Sequence, residues 1–144
     1  MTRLKEHINV FRTPEEAFAY TADFSNIADW DPGVAESSSA EEGPVGEGST
    51  FDLLVTFGSR RVPMQYRITE YEPSRRVVLV GEGDKIRAVD EITFAPTSDG
   101  TAITYVADLN FEGLMKWISP LLKPALRKVG RNAVEGLART LDSQ

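Results

Sequence analysis

The feature that most constrains the fold of this chain is a helical pattern near its C-terminus. From Gly113 to Leu141, apolar residues recur at the three- and four-residue spacing of an amphipathic helix. A helix with a wide apolar stripe must bury that stripe against another element. Most of the remaining sequence is patterned as strands, so the helix is predicted to pack on a sheet. Because one helix rarely fills the space above a curved sheet, we expect a ligand pocket between them.

Two prolines interrupt this helical pattern. Ser119 is a suitable N-cap and Pro120 a suitable first helical residue, which favours a short helix followed by a longer one. Pro124 fits the first turn of that second helix or kinks it. From Pro120 to Leu141 the helix would be about 33 Å long at 1.5 Å per residue. That length is enough to cross a small domain.

The composition is that of an ordinary globular protein, with 41% hydrophobic and 26% charged residues. A length of 144 residues predicts a single domain over residues 1–144. The absence of cysteine excludes disulfides, thiol nucleophiles and thiolate metal sites. The sequence has neither a signal-peptide pattern nor an apolar run as long as a membrane span. We therefore expect a cytoplasmic protein.

The formal charge of −6 is unevenly distributed. Residues 113–144 contain six basic and two acidic residues, so the rest of the chain is strongly acidic. An acidic body argues against DNA binding, which depends on neutralising phosphates. The basic helix face is either solvated or in contact with a membrane or a ribosome, and charge runs of this kind are usually solvated.

The N-terminal segment predicts one strand and then short helices. Arg3 to Phe11 alternates apolar and polar residues, as a half-buried strand does. Thr13, Pro14 and Glu16 then form a capping-box pattern for a helix that starts there. Apolar residues continue to Trp30, and Asp31-Pro32-Gly33 ends this helical region.

From Val34 to Asn110 the sequence predicts six antiparallel strands. Alternation is clear along the strands, and one face is apolar while the other is polar. The predicted turns are Gly43-Pro44, Gly58-Ser59, Pro73-Ser74, Asp84-Lys85 and Ser98-Asp99-Gly100. The glycine-rich stretch Gly43 to Gly48 precedes a strand and lacks a following lysine, so it is not a phosphate-binding loop.

The order of these elements and several local motifs resemble a known superfamily. The segments that carry the resemblance are Ile8 to Phe18, Asp23, Trp30 to Val34, Tyr66 to Val77 and Asp99-Gly100-Thr101. They resemble the polyketide cyclase/dehydrase-like branch of the SRPBCC (START/Bet v 1-like) superfamily. The resemblance implies an α+β helix-grip fold, in which a curved antiparallel seven-stranded sheet, two short helices and a long C-terminal helix enclose a cavity. Superfamily members include lipid carriers and aromatase/cyclases, so the resemblance does not decide the function.

The apolar face of the sheet and the front half of the closing helix are the predicted pocket walls. The alternative is that these side chains pack together and leave no usable space; the resemblance favours a cavity. The predicted ligand-binding residues are Trp30, Phe51, Leu53, Val55, Met64, Tyr66, Ile68, Leu79, Ala88, Asp90, Phe94, Leu114, Trp117, Ile118 and Leu121.

Three carboxylates fall on the inward register of their strands: Glu6, Glu70 and Asp90. A carboxyl group inside an apolar cavity has a raised pKa and can act as a general acid or base. Asp90, Glu70 and Tyr66 are therefore the candidate catalytic residues, with Tyr66 as a donor to a carbonyl or enolate. The alternative places Glu6 and Glu70 at strand ends in solvent, with a bulge turning Asp90 outward.

The only histidine, His7, has the opposite register to Ile8 and Val10, so we expect it to face solvent. With one histidine and no cysteine, the sequence predicts no metal site, and we expect no cofactor.

These patterns predict a protein that binds a small hydrophobic ligand, either lipid-like or aromatic and polyketide-like. A cyclase- or dehydrase-type enzyme without a metal is the first alternative. A module whose basic helix contacts a ribosome or a membrane is the second. The sequence leaves a monomer and a homodimer equally open.

Overall fold

A computed structural model of the chain describes residues 2–113 and 123–144. The predicted pocket residues Leu114, Trp117, Ile118 and Leu121 lie outside these ranges, as do Ser119 and Pro120.

The core of the fold is a curved antiparallel sheet of seven strands, as the sequence predicts. Its spatial order is β1-β7-β6-β5-β4-β3-β2, so consecutive strands from β2 to β7 are neighbours and β1 pairs with β7. The strands are β1 (Thr2–Val10), β2 (Val34–Ser39), β3 (Thr50–Phe57), β4 (Arg60–Glu72), β5 (Arg76–Gly83), β6 (Ile86–Pro96) and β7 (Thr101–Phe111).

Short helices follow β1, and a long helix follows β7. They are α1 (Pro14–Ala22), a 3₁₀ turn (Phe24–Asn26), α2 (Ile27–Trp30) and α3 (Lys123–Asp142). The capping box predicted for α1 is present: Glu16 N–H donates to Thr13 Oγ1, and Thr13 N–H donates to Glu16 Oε1, each over 3.2 Å. Within the described residues, no helix is long and apolar enough to cross a membrane.

The predicted turns separate the strands as expected. Gly58, Ser74 and Lys85, in three successive hairpins, have φ near +60°, a conformation typical of tight turns. The glycine-rich stretch from Gly43 to Gly48 is the connection between β2 and β3 and leads into a strand. This agrees with the exclusion of a phosphate-binding loop.

At one end of the sheet, α1 and the C-terminal half of α3 close the core. Phe18 of α1 packs edge-to-face against Tyr71 and Phe94, with ring centroids 5.1 and 5.2 Å apart. Leu137 and Leu141 of α3 are fully buried in the same core. Phe18, Phe94, Leu137 and Leu141 are all buried at this sealed end.

The position of α3 depends on one glycine. A methyl group on Gly136 would overlap the carbonyl oxygen of Trp30, so the helix approaches α2 as closely as two backbones allow. Earlier in the helix, Gly130 lies over Leu4 and Glu6 of β1. The helix therefore runs along the β1 edge of the sheet and bridges to α2.

At the opposite end of the sheet, the described residues cover the inner face only partly. Several inward-facing apolar residues there are half-buried and pack on the margin of the core. They are Leu4, Val55, Phe57, Val62 and Leu109. The sheet thus has a sealed end and a partly accessible end.

Substituting alanine for Gly136 should destabilise the protein, because the added methyl group must push α3 away from Trp30. We expect a loss of about 1–3 kcal/mol, typical of overpacking a core. Alanine at Gly130 is the matched control, since its methyl group would be 3.6 Å from Leu4 Cδ1, an ordinary contact. That variant should gain about 0.5–1 kcal/mol from better helix propensity.

Urea unfolding followed by circular dichroism measures both changes. If the two alanine variants shift stability in the same direction and by the same amount, the close contact between Gly136 and Trp30 does not position the helix.

Candidate functional site

Asp90 is a carboxylate inside the apolar core. It lies on β6 between Leu79 of β5 and Ala107 of β7 in the strand register, and it is 5% exposed. Its same-face neighbours along β6, Ala88 and Ile92, are fully buried. The inward register predicted for Asp90 is therefore correct, and no bulge interrupts β6 at this position.

Tyr105 of β7 supplies the hydrogen-bond partner of Asp90. Its O–H donates to Asp90 Oδ2 over 2.5 Å. Tyr105 is opposite Ile92 in the register, two residues from Asp90 along β6, so the two side chains form a diagonal cross-strand pair on the inner face. The antiparallel register of β6 and β7 thus positions both groups.

Burial shifts the pKa of Asp90 far from its ordinary value. Loss of solvation raises the pKa to about 7, the hydrogen bond from Tyr105 opposes this shift, and the charges of Asp31 and Asp108 add to it. Burial and the nearby Asp90 charge also raise the pKa of Tyr105 well above its ordinary value. Tyr105 therefore remains a donor at neutral pH, where Asp90 exchanges a proton.

Trp30, the last residue of α2, packs against this pair. Its ring centroid is 6.3 Å from that of Tyr105 and 6.5 Å from that of Phe24, both edge-to-face. The indole is 3% exposed, and Trp30 Nε1 has no hydrogen-bond acceptor among the described residues. A buried N–H without an acceptor is uncommon and calls for a partner.

Asp31 follows Trp30 and brings a second carboxylate to the same region. Its Oδ1 accepts a 2.8 Å hydrogen bond from Gly33 N–H, which fixes the side chain within the turn. Burial raises the pKa of Asp31 to about 6 in spite of that bond. A half-buried acid at the end of α2 is therefore close to titration at neutral pH.

Tyr66 of β4 completes the group. Its ring lies directly over Gly81 of β5, where a Cβ would overlap the ring, and its centroid is 5.4 Å from that of Phe24. Burial and the charges of Asp90 and Asp31 raise the pKa of Tyr66 well above its ordinary value. Tyr66 is thus a second protonated phenol beside the two acids.

We call these five side chains the acidic–aromatic cluster; they are Trp30, Asp31, Tyr66, Asp90 and Tyr105. The cluster lies between the sealed end and the partly accessible end of the inner face. It offers two carboxyl groups that ionise near neutral pH, two phenols and one indole N–H. Such a set can orient a polar group on an otherwise apolar molecule, or accept and return a proton.

The structure places the predicted strand residues of the pocket on one continuous inner face. Most are fully buried: Phe51, Leu53, Met64, Tyr66, Ile68, Leu79, Ala88, Asp90 and Phe94. Val55 is half-buried at the partly accessible end. Trp30 joins them from α2, so one surface carries every predicted wall residue that the structure describes.

Glu70 does not belong to this surface, and its predicted inward register is wrong. A β-bulge between Ile68 and Glu70 changes the phase of β4. The Glu70 carboxylate is 55% exposed and forms a 2.8 Å ion pair with Arg76. Glu6 does keep the inward register: it is half-buried, opposite Tyr105 and close to Gly130 of α3.

Two members of the cluster are absent from the set predicted as ligand contacts. Asp31 belongs to a Trp-Asp-Pro-Gly sequence that indicates a turn, and its burial depends on the seating of α3. Tyr105 follows the predicted inward alternation of β7, and a tyrosine on the inner face was a signal for a polar contact. Its pairing with Asp90 requires the register between the two strands.

His7 is exposed on the outer face, as predicted, and lies 3.1 Å from Thr104 Oγ1 through its Nδ1. Across residues 2–113 and 123–144, no group of three or more potential ligand side chains is placed to hold a metal ion. A surface depression of about 310 Å³ lies beside Phe11 and Gly100, at the sealed end and away from the cluster.

A family model described as polyketide cyclase / dehydrase and lipid transport matches residues 1–142. No curated protein matches the chain.

Solved structures with the same fold include three with named origins. A START superfamily protein from Mycobacterium smegmatis is 15% identical, with 98% of this chain and 94% of that chain covered and a TM-score of 0.73. A protein from Thermus thermophilus is 16% identical, with coverage of 99% and 95% and a TM-score of 0.78. The di-domain aromatase/cyclase StfQ of steffimycin biosynthesis is 16% identical, with coverage of 98% and 49% and a TM-score of 0.73. At these identities the similarity shows the fold alone.

The raised pKa of Asp90 predicts a stability that falls with pH. The folded state keeps its proton to about pH 7, whereas an unfolded aspartate loses it near 3.8. The contribution of Asp90 to the free energy of unfolding is therefore fully present below pH 4. It decreases by on the order of 4 kcal/mol between about pH 4 and 7. An asparagine side chain does not titrate, so Asp90→Asn should be more stable than the wild type at pH 8 and lose that advantage at pH 4.

Urea unfolding at several pH values measures this difference. Glu82→Gln removes one carboxylate from a side chain that is 72% exposed and should leave the pH dependence unchanged. Parallel stability curves for the wild type and Asp90→Asn would show that Asp90 is solvated.

Proposed function

We propose that this chain, which belongs to the polyketide cyclase/dehydrase and lipid transport family, binds a small hydrophobic ligand on the inner face of its sheet. The ligand is lipid-like or contains rings, and its apolar part lies at the partly accessible end of that face. A polar group on the ligand meets the acidic–aromatic cluster.

The observation that carries this proposal is the incomplete burial of inward-facing apolar residues. Phe57, Val62 and Leu109 face the concave side of the sheet yet are only half-buried. Close-packed cores leave few voids, so the partial burial of these side chains marks apolar surface on the concave side that a ligand can cover. Accessible apolar surface that a ligand can cover gives a free energy of binding of about 25 cal/mol per Å² before the costs of association.

The cluster supports the same proposal from the polar side. Pockets for small molecules combine mostly apolar walls with a few convergent polar groups. Asp90 and Tyr105 form such a group on the inner face. We also propose Leu114, Trp117, Ile118 and Leu121 as ligand contacts on the helical side.

An uncharged fluorescent probe, N-phenyl-1-naphthylamine, tests binding directly. Ala107 lies on the inner face opposite Asp90 and is half-buried, so Ala107→Leu places a larger side chain beside the cluster. We expect at least about a tenfold loss of probe affinity, equivalent to about 1.4 kcal/mol. Ala102→Leu is the matched control, because it makes the same change on the outer face of the same strand.

Fluorescence titration gives the affinities, and native mass spectrometry of the purified protein shows any ligand that copurifies. If neither the probe nor a panel of uncharged lipids and aromatic compounds binds, the proposal is wrong. Equal affinity in Ala107→Leu and the wild type would move the binding site away from the inner face.

A second candidate function is a reaction of the cyclase or dehydrase type, and the Asp90–Tyr105 pair favours it. Asp90 exchanges a proton near pH 7, in the range where a general base works best. In such a reaction the Asp90 carboxylate takes a proton from a carbon between two carbonyl groups. Tyr66 or Tyr105 donates a hydrogen bond to the enolate oxygen that forms.

Deuterium exchange at the activated methylene of an aryl β-ketothioester, followed by NMR in D₂O, measures that proton transfer. The wild type should accelerate exchange over buffer, and Asp90→Asn should abolish the acceleration while still binding the compound. Acceleration that survives in Asp90→Asn would exclude Asp90 as the base.

A further inference from the structure

We infer that the acidic–aromatic cluster recognises a protonated amine on a ring-bearing ligand that also carries a neutral oxygen acceptor. The inference deepens the proposed function and rests on it, because it assigns the polar group of the ligand that the inner face binds. It follows from the sign of charge in the cluster, from its aromatic rings and from the indole N–H of Trp30, which has no acceptor among the described residues.

Among the described residues, the charged groups that influence the pKa values of the cluster are all acidic. The charges of Asp31 and Asp108 raise the pKa of Asp90, and those of Asp90 and Asp31 raise the pKa values of Tyr66 and Tyr105. Neither Asp31 nor Asp90 forms an ion pair with a described basic residue; Arg3 pairs with Asp108 on the outer face. A site of this kind attracts a cation and repels a carboxylate, since field lines concentrate in a low-dielectric cleft.

Aromatic rings pack beside Asp90 and its hydrogen-bond partner Tyr105. Trp30 and Tyr105 pack at 6.3 Å, and Phe24 contacts both Trp30 and Tyr66. The faces of tryptophan and tyrosine rings attract ammonium groups by about 0.5–2 kcal/mol, more when water is excluded. Carboxylates among aromatic rings are therefore suited to an amine rather than to a hydroxyl group alone.

The indole of Trp30 gives an independent indication of a ligand. Trp30 Nε1 is buried and lacks an acceptor among the described residues. An N–H donor cannot pair with an ammonium group, so the ligand needs an oxygen that accepts. A carboxylate oxygen would meet the negative charge of the two acids, which leaves a hydroxyl or carbonyl oxygen. Amino alcohols and amino ketones on an aromatic or alicyclic ring satisfy all three requirements.

The surroundings also fix how binding depends on pH. The titratable groups that influence Asp90 are Asp31 after α2, Tyr66 on β4, and Tyr105 and Asp108 on β7. Glu6 of β1 is opposite Tyr105, and Gly130 of α3 lies above Glu6. Asp31 and Asp90 lose their protons between about pH 6 and 7. Amine affinity should therefore rise between pH 5 and 8, while the affinity of a neutral analogue should not.

Three probes of one shape and different charge test the inference. They are 2-amino-1-phenylethanol, 1-phenyl-1,2-ethanediol and mandelate, which carry an ammonium, a neutral hydroxyl and a carboxylate at the same position. Isothermal titration with the full chain at pH 8 should rank them in that order, with the amine at least tenfold tighter than the diol. Asp90→Asn should reduce the amine preference to less than threefold, and Glu82→Gln should preserve it.

The outcomes separate this inference from the proposed function. If the diol binds as tightly as the amine, or mandelate binds best, the inference is overturned while ligand binding on the inner face stands. If none of the three binds at millimolar concentration, the inference is also overturned, and the uncharged probe titration then decides the proposed function separately. Thermal melting of Asp90→Asn at pH 8 confirms that any loss of preference occurs in a folded protein.

Discussion

The contact between α3 and the carbonyl oxygen of Trp30 is the constraint on which the rest of the molecule depends. Because residue 136 is glycine, the helix backbone reaches α2 directly and takes a course along the β1 edge of the sheet. Leu137 and Leu141 then close one end of the core, while the other end of the inner face stays partly accessible. The residue whose carbonyl oxygen this contact involves, Trp30, also packs its ring against Tyr105, so α3 lies beside the candidate site.

The acidic–aromatic cluster costs the fold stability at neutral pH. A buried carboxyl group whose pKa has moved to about 7 is tolerated because Tyr105 donates to it, yet an apolar residue at position 90 would pack without this cost. Violations of the ordinary rules of core composition concentrate at functional sites. The indole N–H of Trp30, for which residues 2–113 and 123–144 offer no acceptor, belongs to the same region. Both features agree with a site whose remaining partner is a ligand.

Much of the architecture was predictable from local sequence signals. The capping box at Thr13, the turn residues between strands and the two-residue alternation along β6 and β7 each act within a few residues. They sufficed for the element order and the inward direction of Asp90, while the resemblance to the superfamily implied the helix-grip fold. Such signals do not carry information about β-bulges. The bulge after Ile68 directs the Glu70 side chain away from the inner face, where it pairs with Arg76.

The composition of the site was less accessible to prediction, because it depends on contacts between distant segments. Asp31 is removed from solvent only when its turn packs against the rest of the protein. Its sequence context indicates a turn rather than a buried acid. The pairing of Tyr105 with Asp90 depends on a register of two strands that alternation alone does not define. The partly accessible end of the inner face depends on the course of α3, which the small size of Gly136 allows.

The measurement that tests the account most directly is a pH titration of the Asp90 side-chain carboxyl by ¹³C NMR, with and without N-phenyl-1-naphthylamine. A carboxyl group in a ligand-binding inner face should titrate near pH 7 in the free protein, and the bound uncharged probe should move that midpoint upward by excluding water. A midpoint close to the ordinary value of 3.8, or one that the bound probe leaves unchanged, would contradict the account.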